Sequence, residues 1–507
     1  MSFNLATMLR ESATTAPDAH ALFFGDREIT YREVDEQSGR LAASLLARGL
    51  AAGDKVAIQL PNLPEFVLLY FGILKAGLTM VPLNPLFTAP EIAYHVGDSD
   101  AKLLVASDFS AEAALAGAAE AGVGDVVIVS LGAPTPSGAA PFAELLAEPD
   151  TGEIHPTSSD DTAVLLYTSG TTGRPKGAEL THFELYMNCT VAPQLFGMTD
   201  QDVALGALPL FHVFGLSSVL NAAVRYGGSV ALVPRFDAEA VIDVIARRRV
   251  TVLSGVPTMY VALLGIELAG RDVSSLRAAV SGGASIPGGV ITAFEEKFPG
   301  LAILEGYGLS ETASTATFNI SAEQRKVLSI GKPIWGVEMR AVDLDGTELP
   351  PGEDNIGEIV VRGHNVMKGY YKRPEATAEA LRNGWLHTGD LGYRDEDGYF
   401  FIVDRLKDLV IRGGYNVYPR EVEEVLYAHP EVVEAAVVGR PDERLGEEVV
   451  AFVVLRPGAS ADAAALTEFS RERLAAYKYP REIHLLAELP KGGTGKILKR
   501  ELRTTSS

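Results

Sequence analysis

The chain has 507 residues, too many for one hydrophobic core, and an apolar content of 47%, which is enough to furnish several. Its 44 basic residues against 66 acidic ones leave a net charge of -22, which excludes general nucleic-acid binding; sixteen residues of each sign follow position 404, so the whole excess lies upstream. The single Cys189 excludes internal disulfides and cysteine-based metal sites and points to a reducing, cytoplasmic setting, and no apolar run reaches the roughly 18 residues of a membrane-spanning helix.

Thr30 and Glu33 have the spacing of a capping box, and the stripe Leu41, Leu45, Leu46 continues the helix they open until Gly49. A strand (55–60), helix (65–76), strand (78–82), helix (90–96) and strand (101–106) follow, the rhythm of a layered α/β unit with parallel strands. Residues 66–83 form the longest apolar stretch, but Lys75, Gly77 and Pro82 break it into a buried helix and a strand. Residues 131–161 are rich in Pro, Gly, Ser and acids and read as a surface connection.

Apolar residues 163–166 then run into YTSGTTGRPKG (167–177). Thr168, Ser169, Thr171 and Thr172 are interleaved with Gly170 and Gly173, and Lys176 follows. Freed backbone N–H groups, hydroxyls and one ammonium can wrap a polyphosphate. The pattern is neither a Walker A loop, which needs Gly-Lys-Ser/Thr, nor a Gly-x-Gly-x-x-Gly fingerprint. Composition alone fits a flexible connector equally well.

The α/β rhythm resumes with strands at 229–233, 250–253, 276–280 and 301–304 and a helix at 238–248. Glycine-bearing turns at 281–284 and 305–308 follow two of these strands. In open α/β sheets ligands bind beyond the carboxyl ends of strands, so these loops are expected to converge on one crevice. Arg247, Arg248 and Arg249 suit a helix C-terminus electrostatically; the alternative is peripheral contact with an anionic membrane. Residues 330–399 read as a small β-rich lobe with turns at Asp345-Gly346 and Pro351-Gly352. Residues 405–507 read as an α+β lid with a helix (421–427), strands (433–438, 448–455), a helix (463–475) and a final strand and helix. The expected domains are therefore 1–404 and 405–507.

Five segments in this order, YTSGTTGRPKG, GYGLSET (306–312), HTGD (387–390), DRLKDLVIRGGYNVYPREVEE from Asp404 and GGTGKILKREL from Gly492, resemble the acyl-adenylate-forming enzymes. That superfamily includes acyl- and aryl-CoA synthetases, firefly luciferase and peptide-synthetase adenylation domains. The resemblance covers nearly the whole chain. It implies a two-step reaction: a carboxylate attacks the α-phosphate of ATP to give acyl-adenylate and pyrophosphate, and the thiol of CoA then displaces AMP. Such chemistry depends on positioning and charge stabilisation.

By this resemblance the loop from Thr168 through Ser169, Gly170, Thr171, Thr172 and Gly173 to Lys176 holds the β- and γ-phosphates, and Glu311 with Thr168 carries Mg²⁺. Glu311 would otherwise read as a carboxylate at a helix start. Gly283, Ala284 and Tyr307 form the adenine slot, with Glu305, Gly306, Gly308 and Ser310 in the nucleotide loop around it. Asp390, placed at a turn after Gly389, accepts from the ribose diol, the bland alternative being a turn-capping Asp. Arg405 contacts ribose and phosphate. Lys496 neutralises charge on the α-phosphate and the attacking carboxylate, in contrast to a solvated tail lysine such as Lys499. Lys407 matches the hinge about which the lid turns, and Arg412, Gly413, Gly414 and Tyr415 then face CoA.

Residues 209–215, PLFHVFG, are similar to the segment that lines the acid pocket, with His212 as its gate and Phe211, Phe214, Val256, Met259 and Ile286 as apolar wall. No Asp stands early in this motif to pair with an amino group, which argues against an amino acid, and no arginine is placed to hold a second carboxylate. The resemblance therefore implies a cytoplasmic, ATP- and Mg²⁺-dependent acyl-CoA synthetase for a medium- or long-chain fatty acid, without a nucleic-acid partner and with monomer and homodimer equally open. Its rivals are an aryl-acid CoA ligase of the coumarate or benzoate type, a ligase loading a carrier protein, and a non-catalytic nucleotide sensor. One departure stands out: Lys491-Gly492-Gly493 occupies a place where many relatives carry a bulkier, Arg-containing run.

Overall fold

A computed structural model describes residues 3–168, 174–442, 444–493 and 495–505. Two large sheets carry most of the chain. The first, in spatial order, runs Gly369–Tyr370, Lys176–Thr181, Thr162–Thr168, Thr79–Pro82, Lys55–Gln59, Ala101–Ser107, Val126–Val129, Ala140–Pro141. The second runs Lys332–Pro333, Thr317–Phe318, Ile303–Tyr307, Ala278–Ser281, Val252–Gly255, Val203–Gly206, Ser229–Leu232, His20–Phe24, Arg27–Thr30. The central strands of each sheet, Thr162–Thr168 to Ala140–Pro141 in the first and Ile303–Tyr307 to His20–Phe24 in the second, pair in parallel and are rich in buried apolar residues, while the pairs toward the ends at Gly369–Tyr370, Lys332–Pro333 and Arg27–Thr30 are antiparallel. Helices start where a strand hands over to a capping box: Thr30 with Glu33, Thr88 with Glu91, and Thr181 with Glu184.

The helix Pro64–Lys75 is buried along its length, and its last residue, Lys75, is 1% exposed. A buried ammonium needs partners. Lys75 Nζ donates to the Asp35 carboxylate at 2.7 Å and to the Asp35 carbonyl at 2.6 Å, and Arg10 Nε donates to the same carboxylate at 2.7 Å.

The expected α/β elements are present with shifted ends. The connection at 131–161 is not structureless: Ala140–Pro141 extends the first sheet, and Leu145 is buried in the turn Phe142–Leu146. The β-rich lobe is a five-stranded sheet of Val337–Val342, Gly357–Gly363, Trp385–Arg394, Leu381–Arg382 and Phe400–Arg405. Two pieces inside 330–399 leave it: Lys332–Pro333 finishes the second sheet, and Gly369–Tyr370 returns to the edge of the first. Residues 305–307 also depart from the expected turn. They continue the strand Ile303–Tyr307, because Thr317–Phe318 pairs antiparallel with Gly306 and Tyr307, and the chain bends only at Gly308. A Cβ on Gly308 would lie 1.4 Å from the Ser314 carbonyl oxygen, so only glycine fits.

The fourth sheet, Tyr415–Val417, Val410–Arg412, Gly446–Leu455 and Val432–Asp442 with Glu482–Leu485 alongside, is packed by helices Pro419–Tyr427, Ala463–Arg471 and Lys499–Thr505. Its buried apolar clusters contain residues between 410 and 502 only.

Candidate active site

Asp390 does not sit in a simple turn. It lies inside the strand Trp385–Arg394, directly opposite Arg405 in an antiparallel ladder, and Gly389 before it takes φ +70° beside an irregular register. Arg405 Nε donates to Asp390 Oδ1 at 3.0 Å, and the Tyr307 hydroxyl, arriving from the second sheet, donates to Oδ2 at 2.7 Å. Asp390 is 2% exposed. Its charge holds the Arg405 guanidinium above its usual range, and burial together with the carboxylate pushes the Tyr307 hydroxyl well above 10, so both remain donors.

Lys496 approaches this pair from the C-terminal unit. Its loop closes on itself: Leu498 N–H donates to Pro490 O at 2.8 Å, Gly492 N–H to Lys496 O at 2.8 Å, and Gly495 N–H to Gly492 O at 2.9 Å. Thr258, near the start of the helix Pro257–Leu264, donates its hydroxyl to Gly495 O at 3.2 Å. Solvent reaches the Lys496 side chain, but protein atoms surround it. Desolvation, then the Arg405 cation, pull its pKa down to about 8. Lys499 is not the solvated lysine of the sequence reading: its Nζ pairs with Glu423 at 2.7 Å, and Asp404 adds to its charge environment.

His212 faces the same space. Burial, then Lys496, bring its pKa down to about 4, so the ring is neutral at pH 7. Phe214 N–H donates to Nδ1 at 3.3 Å, which leaves the ring proton on Nε2. Phe214 opens an eight-residue π-helix, Phe214–Asn221, that the sequence pattern did not reveal. A Cβ on Gly282 would meet the Phe214 ring at 3.1 Å, and one on Gly306 would meet the Phe318 ring at 2.9 Å. Gly283 takes φ +78°, with Val256 Cγ1 3.5 Å from the place of its missing Cβ. Val256, Met259 and Ile286 are buried, Phe211 is half-buried, and Ala284 is exposed.

Thr168 and Lys176 stand opposite each other in the hairpin of Thr162–Thr168 and Lys176–Thr181. Ser169, Gly170, Thr171, Thr172 and Gly173, which follow Thr168 in sequence, lie outside the described residues. Lys176 Nζ stands 5.3 Å above the Tyr370 ring, and the Tyr370 hydroxyl donates to Glu311 Oε1 at 2.8 Å. Glu311 is held in the turn Ser310–Thr312, which begins at Ser310. Tyr370 was absent from the sequence-derived set; its signal is the aromatic and basic run Tyr370-Tyr371-Lys372-Arg373 after Gly369.

Other expected residues point elsewhere. Glu305 Oε2 accepts from Leu328 N–H at 2.9 Å, and burial pushes the carboxyl up to about 7 beside Arg420. Arg412 makes a bidentate pair with Glu448 at 2.5 and 2.9 Å, Gly413 N–H donates to Leu445 O, and Tyr415, 60% exposed, stacks on Tyr477. Those partners all belong to the C-terminal unit, so this loop is not joined to the Asp390 cluster. Lys407 is exposed in the turn after Arg405, which Arg503 braces through Asp408 at 2.8 Å. Arg247, Arg248 and Arg249 pair with Asp26, Glu28 and Asp272. Among the described residues no helix is long and apolar enough to cross a membrane.

A sequence profile described as AMP-binding enzyme matches residues 9–371, and one described as AMP-binding enzyme C-terminal domain matches residues 421–496. The chain is 41% identical to a feruloyl-CoA synthase of an Amycolatopsis species, over 97% of this chain and 96% of that one. It is 38% identical to a long-chain-fatty-acid–CoA ligase of Bacillus subtilis, over 98% and 94%. Its structure superposes on ATP-bound MatB from Rhodopseudomonas palustris with a TM-score of 0.92 at 36% identity, covering 100% of this chain and 99% of that one.

Proposed function

The chain belongs to the AMP-binding enzyme family and is an ATP-dependent acid–thiol ligase that uses CoA, and from that premise we propose that the acid it activates is apolar: a medium-chain fatty acid first, an aryl acid second. The observation that carries this reading is the neutral His212, held by Phe214 N–H, whose charge environment among the described residues is perturbed by Lys496 alone, with Phe214 against Gly282 and Val256 against Gly283 as its apolar neighbourhood. A tail with a second charge would enter such a neighbourhood unpaired, at a large desolvation cost. The aryl relative at 41% identity supports the second reading.

In this reading residues 1–404 hold the nucleotide and 405–507 act as a lid. Asp390 uses its remaining lone pairs for the ribose diol, and Arg405 and Lys496 face the α-phosphate. As the carboxylate oxygen bonds to that phosphorus and pyrophosphate leaves, the two cations offset the gathering negative charge. Thr168 and Lys176, at the two ends of the hydroxyl-rich loop, hold the outer phosphates. Glu311 suits a magnesium ion, because Mg²⁺ is commonly bound through one or two carboxylates plus substrate phosphates, and among the described residues no cluster of three acidic, His or Cys ligands competes with it. Glu311, with Thr168, would hold such an ion, which would supply charge neutralisation for the phosphates. For the second step the lid turns about Lys407 and brings Arg412–Tyr415 to CoA, whose sulfur bonds to the acyl carbon as AMP leaves. The single buried Cys189 agrees with a cytoplasmic enzyme.

The test is AMP release from ATP and Mg²⁺ with acetate, octanoate, palmitate, coumarate and malonate, each with and without CoA. CoA-dependent turnover peaking on octanoate supports the first reading and on coumarate the second. Turnover peaking on malonate overturns the apolar pocket, and AMP release indifferent to CoA points to a carrier-protein acceptor.

A further inference from the structure

The Gly492-Gly493 departure has a counterpart in the large unit. A Cβ at position 493 would stand 2.6 Å from Asn84 Nδ2 and 3.4 Å from Asn84 Cγ. One at position 495 would stand 2.9 Å from Thr258 Oγ1 and 3.2 Å from Val256 Cγ2, and Gly495 takes φ +79° besides. Asn84 is not free to step aside. Its Oδ1 accepts from Leu86 N–H at 3.0 Å, and the buried Gln59 reaches the carbonyls of Asn84, Pro85 and Phe87. Thr258 completes the contact with its hydrogen bond to Gly495 O. The Lys496 loop thus touches the large unit at two walls: the 84–87 turn beyond the first-sheet strand Thr79–Pro82, and the helix start beyond the second-sheet strand Val252–Gly255. At both walls bare backbone makes the approach, and a side chain would obstruct it.

We propose that Asn84 and Thr258 are positioning residues: they form a socket that admits the glycine backbone at 493 and 495 and so fixes how far Lys496 enters the crevice for adenylate formation. This rests on the reading that Lys496 serves the first half-reaction. The socket is engaged only when the lid presents Lys496, so it governs the first step and leaves thioester formation alone. A displacement of about 1 Å at a reacting group costs on the order of 10²-fold in rate, which sets the expected size of the effect.

The experiment uses the full-length enzyme and measures two half-reactions with the best acid: ATP–pyrophosphate exchange, and conversion of supplied acyl-adenylate to the CoA thioester. Gly493→Val is expected to lower exchange by about 10²-fold while the thioester step, which also reports an intact fold, stays within about twofold of wild type. Adding Asn84→Ser, which keeps a short acceptor for Leu86 N–H and removes the obstructing amide, is expected to recover at least about tenfold of the lost exchange. Thr258→Val is expected to lower exchange about tenfold, again sparing the thioester step. Equal loss of both steps in Gly493→Val, or no recovery in the double variant, overturns the socket. Lys496→Ala separates the two levels: if it still exchanges, the lysine's assignment falls; if it is silent while Gly493→Val exchanges normally, the socket alone falls.

Discussion

Asp390 and Arg405 face each other across two neighbouring antiparallel strands, and their side chains close a 3.0 Å ion pair within reach of the Tyr307 hydroxyl. Because both strands run in the five-stranded sheet, backbone pairing sets the position of this carboxylate before any nucleotide arrives. Asp390→Asn keeps the shape and removes the charge. Hydrogen bonds to charged groups contribute about 1.5–3 kcal/mol, so KM for ATP is expected to rise by about 10- to 100-fold, with a smaller change in kcat. Initial-rate kinetics over a range of ATP concentrations check this, and an unchanged KM refutes a ribose contact.

Lys496→Ala is expected to lower adenylate formation by about 10²- to 10³-fold and to leave conversion of supplied acyl-adenylate to thioester intact. The cation is the working form, and its pKa lies near 8 rather than 10.5. As pH rises through about 8 the free enzyme loses this proton, so kcat/KM for the first step is expected to fall on the alkaline side. Lys496→Arg, slower but always charged, is expected to lack that limb. A first-step profile flat to pH 9.5 in the wild type would show that Lys496 keeps an ordinary pKa or does not act as a cation.

Tyr370 joins Glu311 to the mouth of the phosphate hairpin. Tyr370→Phe preserves the ring under Lys176 and frees the Glu311 carboxylate to swing. The first step is expected to slow by about tenfold, with a higher Mg²⁺ requirement, while the melting temperature holds. Magnesium titrations of pyrophosphate exchange measure it, and an unaltered Mg²⁺ dependence would assign Tyr370 to packing alone.

Asp35→Ala leaves the Lys75 ammonium buried without its carboxylate and strips Arg10 of a partner. Breaking a buried pair costs about 3–5 kcal/mol. Urea unfolding followed by intrinsic fluorescence is expected to show the free energy of unfolding lowered by that amount, with the midpoint at lower denaturant. Replacing Lys75 as well, by Met, removes the stranded charge and is expected to restore most of the loss.

Alternating strands and helices, the capping boxes and the five motifs were legible in the sequence because each is a local pattern with one dominant physical cause. What escaped it was pairing at a distance. Nothing local in HTGD announces that Asp390 will face Arg405, and the glycines of GYG read as a turn although Thr317–Phe318 draws Gly306 and Tyr307 into a strand. Lys499 looked like an exposed tail lysine because its partner Glu423 is remote in sequence. The π-helix at Phe214 was invisible for a different reason: its apolar spacing cannot be told from that of an ordinary buried helix.

The return of Gly369–Tyr370 to the edge of the first sheet also has a consequence for synthesis on the ribosome. Strand Lys176–Thr181 emerges early, but the segment that covers it lies almost two hundred residues later. Until then the nascent chain carries an unpaired, hydrogen-bonding edge, the kind of surface on which growing chains stick to one another. Slow translation between residues 181 and 370 should therefore raise aggregation, and truncation anywhere before 370 should yield insoluble protein rather than a smaller working enzyme.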